Sequence, residues 1–186
     1  MKADKTKILT IPNLLSLLRL LMIPVFIVLY LNGHEEWTAA VLLLSGLTDV
    51  VDGYIARHFN QVSDIGKALD PVADKLTQAA MLLCLISHYP MMIAPFVLLT
   101  AKELFAAVSG LLVIRRTGIV PGAEWHGKLT TLMLYGMMIL HVIWQEIPAW
   151  LSNTLNGGCI AMMAVSLVLY AQRNIRMIRD AQKGAE

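Results

Sequence analysis

Charge is scarce in this chain. Asp, Glu, Lys and Arg make up 15% of its 186 residues, where a soluble domain of that length carries about a quarter. Cysteine is scarcer still. Cys84 and Cys159 stand alone in apolar runs, with no CxxC spacing. They offer no disulfide framework and no thiolate metal site, and each reads as a small hydrophobe in helix packing. The five histidines, His34, His58, His88, His126 and His141, are scattered singly and lack zinc-ligand spacing. There is no internal repeat, no low-complexity tract and no second, soluble domain. A formal charge of +2 says little by itself, and no nucleic-acid partner is expected.

What is abundant is apolar sequence: 57% of the residues are hydrophobic and the mean hydropathy is +0.64. These residues fall in stretches of the ~20 residues that a helix needs to cross a hydrocarbon core of about 30 Å. Six segments are read, Pro12–Asn32, Trp37–Arg57, Leu69–His88, Met91–Ile114, Trp125–Trp144 and Pro148–Ala171. The expected fold is all-α, a polytopic membrane protein with six transmembrane helices. It forms a single domain over residues 1–186, with a cytosolic arm at 1–10 and a cytosolic tail at 172–186 that continues the last helix. The basic start at Lys2, Lys5 and Lys7 resembles a signal peptide. The run that follows is longer than an h-region, holds Arg19 and precedes no small-x-small site, so it is read as a retained first helix. Pro12 and Pro148 suit first helical turns. Pro24 and Pro95 are placed inside helices, where neighbours must satisfy the freed carbonyl.

The basic residues sort to one side. Lys2, Lys5 and Lys7, then Arg57, Lys67 and Lys75, then Arg115, Arg116 and Lys128, then Arg173, Arg176, Arg179 and Lys183 occupy or flank alternate connections and the termini. The other connections, Asn32–Glu36, His88–Met91 and Gln145–Ile147, hold no Lys or Arg, only Glu35, Glu36 and Glu146. The positive-inside rule then places both termini in the cytosol, and the protein in the cytoplasmic membrane expected of a bacterium. Arg19 and Lys102 lie inside helices, away from the connections.

The carboxylates carry the chemistry. Asp49 and Asp52 are three residues apart, and Asp70 and Asp74 four, so on helices each pair projects from one face. The link from Arg57 to Gly66 is short, which makes the two helices antiparallel neighbours with their acidic ends toward the cytosol. Four carboxylates at a membrane surface repel one another and are costly to desolvate. Arg57, Lys67 and Lys75 offset part of that charge. An all-oxygen cluster suits a hard divalent ion, and four Asp can bridge two of them, Mg²⁺ or Mn²⁺. Such a site serves the breaking of a phosphoanhydride, and Asp74, the last of the set, is the expected base for an attacking hydroxyl. Gly53, Ala56 and Gly66 are small where a base or diphosphate needs close backbone approach. The plainer alternative is a capping and salt-bridging loop between two spans; two pairs with interleaved small residues favour the functional reading.

Asp49, Asp52, Gly53, Ala56, Arg57, Gly66, Asp70 and Asp74 resemble, at every fixed position, the signature D-x2-D-G-x2-A-R-x8-G-x3-D-x3-D of the CDP-alcohol phosphotransferases. The resemblance implies six transmembrane helices in a homodimer, a dinuclear site made by the four Asp, and Asp74 as base. It implies transfer of a phosphatidyl group from CDP-diacylglycerol to an alcohol, with CMP leaving, and CDP binding around Asp49, Asp52, Gly53, Ala56, Arg57 and Gly66. The run Ile11-Pro12-Asn13-Leu14-Leu15-Ser16-Leu17-Leu18-Arg19 and the run Asp70–Lys75 also look like those of bacterial phosphatidylglycerophosphate synthases and the related cardiolipin synthases. On that likeness Asn13 joins the donor site, the alternative being a helix cap. Arg19 either faces the polar cavity or pairs with an intramembrane carboxylate such as Glu103.

A phosphorylated acceptor, glycerol 3-phosphate above all, needs cations beyond the metal site. Lys102, Arg115, Arg116 and Lys128 are the expected set. Ala101-Lys102-Glu103 and Gly127-Lys128 resemble motifs of glycerophosphate-using members. Those members carry a further Arg where this chain reads Ala106–Leu112, and a second Lys where it has Thr130. That departure keeps phosphatidylglycerol open as acceptor, which would make the chain a cardiolipin synthase; serine and inositol phosphate rank lower. A prenyl-transferring membrane enzyme would show a second Asp cluster, and none follows Asp74. A cation transporter would carry its carboxylates near mid-membrane, where only Glu103 qualifies. The eleven Met residues read as adaptable packing.

Overall fold

The structure is a computed structural model in which residues 11–58, 64–119, 122 and 124–183 are described. The expected arm at 1–10 lies outside them. Six helices run in order: α1 (Ile11–Leu31), α2 (Glu35–His58), α3 (Asp64–Ile86), α4 (Ile93–Thr117), α5 (Trp125–Ile143) and α6 (Ala149–Lys183). A single 3₁₀ turn, Pro90–Met92, precedes α4, and no strand occurs among the described residues. All six expected segments are helical. Three helical stretches, Asn13–Leu31, Pro90–Thr117 and Ala149–Gln182, are long and apolar enough to cross a membrane. The other three helices carry polar residues that dilute their hydropathy, among them Asp70, Asp74 and Lys75 on α3 and His126, Lys128 and His141 on α5.

Some boundaries differ from the sequence reading, for physical reasons. α3 starts at Asp64 rather than Leu69, because its first turn holds a single large apolar residue, Ile65, and gives no apolar run to read. Pro71 therefore sits inside the helix, and its missing N–H leaves the Lys67 carbonyl without its i+4 partner. Pro95, expected inside a helix, is the third residue of α4, where an N–H has no intrahelical acceptor to lose. α4 ends on Gly118 at φ +69°, whose N–H donates to the Ile114 carbonyl at 2.9 Å. This left-handed position suits a residue without Cβ. α6 runs unbroken through Gln172–Lys183, as expected of the tail.

The helices are dressed inside out. On α1, Leu14, Leu21 and Val28 are exposed while Asn13, Ser16 and Arg19 are buried. On α4, Leu104, Val108 and Leu111 are exposed while Lys102 and Ser109 are buried. On α6, Trp150, Val165 and Val168 face out while Ser152, Asn156, Ser166 and Asn174 face in. Water would punish such surfaces; lipid tails favour them, and polar groups then seek partners between helices.

The chain forms two compact units, one of Met1–Pro90 with Met138–Glu146, the other of Met91–Met137 with Ile147–Glu186. In the first, α1 packs on both α2 and α3, around Met22, Phe26, Leu42, Ala73, Met81 and Leu85. In the second, α4 packs on α6. The sides of that unit are tied by polar contacts. His126 Nδ1 and Ser166 Oγ lie 2.9 Å apart, and the Asn174 amide donates to Ser109 Oγ at 2.7 Å. Arg173 donates to the Gly122 carbonyl at 2.7 Å and to Glu124 at 3.0 Å. The basic tail is thus anchored by Arg173 to the α4–α5 connection.

Gly127 has a packing reason to be glycine. A Cβ there would lie 2.5 Å from the Tyr170 hydroxyl, and the Tyr170 ring is held edge-on to His126 at 4.6 Å and under Arg173 at 5.0 Å. Gly127→Ala gains about 1 kcal/mol of helix propensity and loses about 1–3 kcal/mol to overpacking. Thermal unfolding in detergent should show it less stable than wild type. Adding Tyr170→Phe, which removes the colliding hydroxyl, should restore the loss; no restoration would refute this account of Gly127.

Candidate active site

The polar seam of the first unit is built from two helical stripes. On α1, Asn13, Ser16 and Arg19 recur every three residues and are all buried. On α3, Asp70, Asp74 and Gln78 recur every four, one face of the helix. The stripes meet at Asp70. Arg19 Nη1 donates to Asp70 Oδ1 at 3.1 Å, and Ser16 Oγ donates to the same oxygen at 3.4 Å. The Arg19 side chain is wholly buried and that of Asp70 is 39% exposed, so the pair has its cation inside and its carboxylate at the open edge. The sequence reading offered Arg19 an intramembrane carboxylate such as Glu103, and Asp70 is one carboxylate it meets. Glu103 lies 2.5 Å from Lys102. Removing one member of a buried pair costs about 3–5 kcal/mol, and the exposure of Asp70 puts this one near the lower end.

One turn along α3, Asp74 is held differently. The Gln78 amide donates to both carboxylate oxygens, at 2.9 and 3.0 Å, and Lys75 Nζ lies 3.2 Å from Oδ2. Gln78 itself is fully buried, so a fixed amide orients a carboxylate that keeps partial exposure. Ser16 and Gln78 were not singled out from sequence. Their signal was available in the three-residue polar recurrence Asn13–Ser16–Arg19 and in the four-residue step from Asp74 to Gln78. Asn13 is the third residue of α1, inside the helix rather than capping it.

The remaining expected residues are placed as follows. Asp49, Asp52, Gly53, Ala56 and Arg57 fall on α2 and Gly66 on α3; their side chains lie outside the described residues. In the second unit, Arg115 and Arg116 are in the last turn of α4 and Lys128 is in the first turn of α5, all three exposed. Lys102 is buried and bound to Glu103, so its charge is already matched.

Asp70 and Asp74 offer only carboxylate oxygens to a ligand, spaced by one helical turn, and this donor chemistry fits a hard divalent cation. Among the described residues no three His, Cys, Asp or Glu side chains converge. Two of the four expected ligands, Asp49 and Asp52, are outside that set.

Apolar outer faces, a buried polar seam and an oriented carboxylate stripe are the features of a helical protein suited to a membrane, with polar chemistry between its helices. Comparison with known proteins gives the class a name. Residues 9–172 match the pattern of the CDP-alcohol phosphatidyltransferases. The chain is 33% identical over 177 residues to a probable phosphatidylglycerophosphate synthase of Mycobacterium tuberculosis, covering 90% of this chain and 79% of that one. It is 32% identical over 174 residues to a CDP-diacylglycerol–glycerol-3-phosphate 3-phosphatidyltransferase of Aquifex aeolicus, covering 90% and 97%. It is 34% identical over 195 residues to a CMP-forming cardiolipin synthase of Streptomyces coelicolor, covering 96% and 88%. The chain belongs to the CDP-alcohol phosphatidyltransferase family. It is a transferase of phospholipid biosynthesis in a membrane, from a family that depends on metal.

Gln78→Leu removes both amide contacts to Asp74 while keeping the side-chain volume close. If Gln78 is a positioning residue, kcat falls about tenfold, a fraction of the 10²–10⁴ that a general base contributes, with KM for the donor little changed. Gln78→Glu, which sets a like charge against Asp74, should be worse than Leu. A Leu variant with wild-type kcat would remove Gln78 from the site.

Proposed function

We propose that the chain transfers the phosphatidyl group of CDP-diacylglycerol to glycerol 3-phosphate, forming phosphatidylglycerophosphate and CMP. The acceptor oxygen forms a bond to the lipid-bearing phosphorus, the anhydride oxygen leaves on CMP with its electron pair, and the hydroxyl proton passes to Asp74. The observation that carries the reading is the Asp70–Asp74 stripe of α3, with Asp70 fixed from α1 and Asp74 from Gln78. Asp49, Asp52, Asp70 and Asp74 would hold two Mg²⁺ or Mn²⁺ ions, which when bound neutralise the diphosphate and line it up for displacement. Arg57 and Asn13 bind the CDP portion, and Gly53, Ala56 and Gly66 leave room for it. Lys102, Arg115, Arg116 and Lys128 supply the positive charge that a phosphorylated acceptor requires, with Arg115, Arg116 and Lys128 more available than the buried Lys102.

The same reading takes all six helices as spans of one catalytic domain, with both termini and the carboxylates on the cytosolic side of a bacterial cytoplasmic membrane, and two copies forming a homodimer. It is supported by the one-sided distribution of Lys and Arg along the sequence and by the apolar outer faces of α1, α4 and α6. A second reading, phosphatidylglycerol as acceptor, is favoured by one observation: the apolar Ala106–Leu112 stretch where glycerophosphate-using relatives are expected to hold an arginine.

CMP release by the purified protein with CDP-diacylglycerol and Mg²⁺ decides between them. Release with glycerol 3-phosphate supports the first reading, and release with phosphatidylglycerol alone replaces it by the second. Asp74→Asn should lower turnover by about 10²–10⁴ yet keep donor binding, whereas Asp49→Asn or Asp70→Asn should lose metal-dependent donor binding as well. Equal, partial losses in all three would contradict the assigned roles.

A further inference from the structure

The first unit has a second polar centre, far from the carboxylates. Along α3 from Asp70 to Ile86 is about 24 Å of helix at 1.5 Å per residue, close to a hydrocarbon thickness. At that far end a cavity of about 230 Å³ is lined by Tyr30, His88, Tyr89, His141, Gln145 and Glu146. Its rings are held in place. Tyr30 Oη and Ser87 Oγ each lie 3.0 Å from His88 Nδ1, and the Tyr30 and His88 rings meet edge-on at 5.4 Å. Tyr89 donates to the Gln145 carbonyl at 2.7 Å and sits edge-on to His141 at 4.9 Å. The Gln145 amide in turn donates to Glu35.

The charge of this centre has one sign. Glu146 lines the cavity and Glu35 is one hydrogen bond behind it. The connections at this end, Asn32–Glu36, His88–Met91 and Gln145–Ile147, contain no Lys or Arg. Burial, and after it the Glu35 carboxylate, push the Tyr89 phenol above its ordinary value, so its hydroxyl stays neutral. The Tyr89 ring, backed by the buried Tyr30 and His141 rings, and the Glu146 carboxylate, with no Lys or Arg in the lining, make a receptor for an organic ammonium group, held by the aromatic ring and by charge. The volume is below that of pockets for drug-sized ligands and suits a single headgroup. Anything bearing phosphate must leave it outside, since no Lys or Arg lines the cavity to pair with it.

We infer that this cavity binds the ammonium group of an amine-bearing phospholipid headgroup, at the membrane face opposite the carboxylate site. The ligand is distinct from the donor and acceptor of the transfer reaction and touches none of their residues.

Native mass spectrometry of the purified full chain in detergent micelles, supplied with equimolar phosphatidylethanolamine and phosphatidylglycerol, tests this. The ethanolamine lipid should be retained over the glycerol lipid by about threefold or more, the scale of one exposed cation–ring contact. Glu146 is exposed, so Glu146→Gln leaves the fold intact and should erase the preference. Tyr89→Leu should erase it too, whereas Tyr89→Phe, which keeps the ring and loses the hydroxyl, should retain it. Equal retention of the two lipids, or a preference unchanged in Glu146→Gln and Tyr89→Leu, would each overturn the inference.

Discussion

A guanidinium buried among apolar helices needs a carboxylate, and the first unit is organised around that need. Arg19 has no exposed side-chain surface and reaches Asp70 at 3.1 Å. Because the partner comes from α3, the pair fixes which face of α3 meets α1. Ser16, one turn before Arg19, donates to the same carboxylate. With that face fixed, the helical period carries Asp74 and Gln78 along the same side of α3. The position of the expected base thus follows from an ion pair one turn away.

The outer surfaces are set by the opposite requirement. Without a hydrophobic force between helices in lipid, packing and polar contacts must hold them together. The second unit shows this in its His126–Ser166 and Asn174–Ser109 contacts, and in the close approach of Tyr170 to Gly127. The buried methionines Met81, Met92, Met137, Met138 and Met163 fill the irregular spaces that remain. Polar residues are therefore concentrated where helices meet, and the same economy of placement gives α3 a carboxylate stripe.

Much of this was legible in the sequence. Apolar runs marked each helix, three of them long and apolar enough to cross a membrane, and the fixed spacing of Asp49, Asp52, Asp70 and Asp74 marked the family. The start of α3 was missed because its first turn, Asp64 to Lys67, offers only Ile65 as a large apolar residue. Pro95 was misplaced because a proline inside an apolar run looks the same whether it opens the helix or interrupts it. The pairing of Arg19 with Asp70 was beyond sequence reasoning, because only the packing of α1 on α3 brings the two together. Gln78 was overlooked because an amide in a helix has no motif, although its four-residue step from Asp74 was there to be read.

A double-mutant cycle on Arg19 and Asp70, scored by CMP release from CDP-diacylglycerol and by thermal stability in detergent, tests the central claim most directly. If the ion pair sets the carboxylate stripe, Arg19→Leu and Asp70→Asn each lower both quantities, and the double variant is no worse than the poorer single, giving a coupling of about 1–3 kcal/mol. Additive losses, or an Arg19→Leu variant with wild-type turnover, would contradict it.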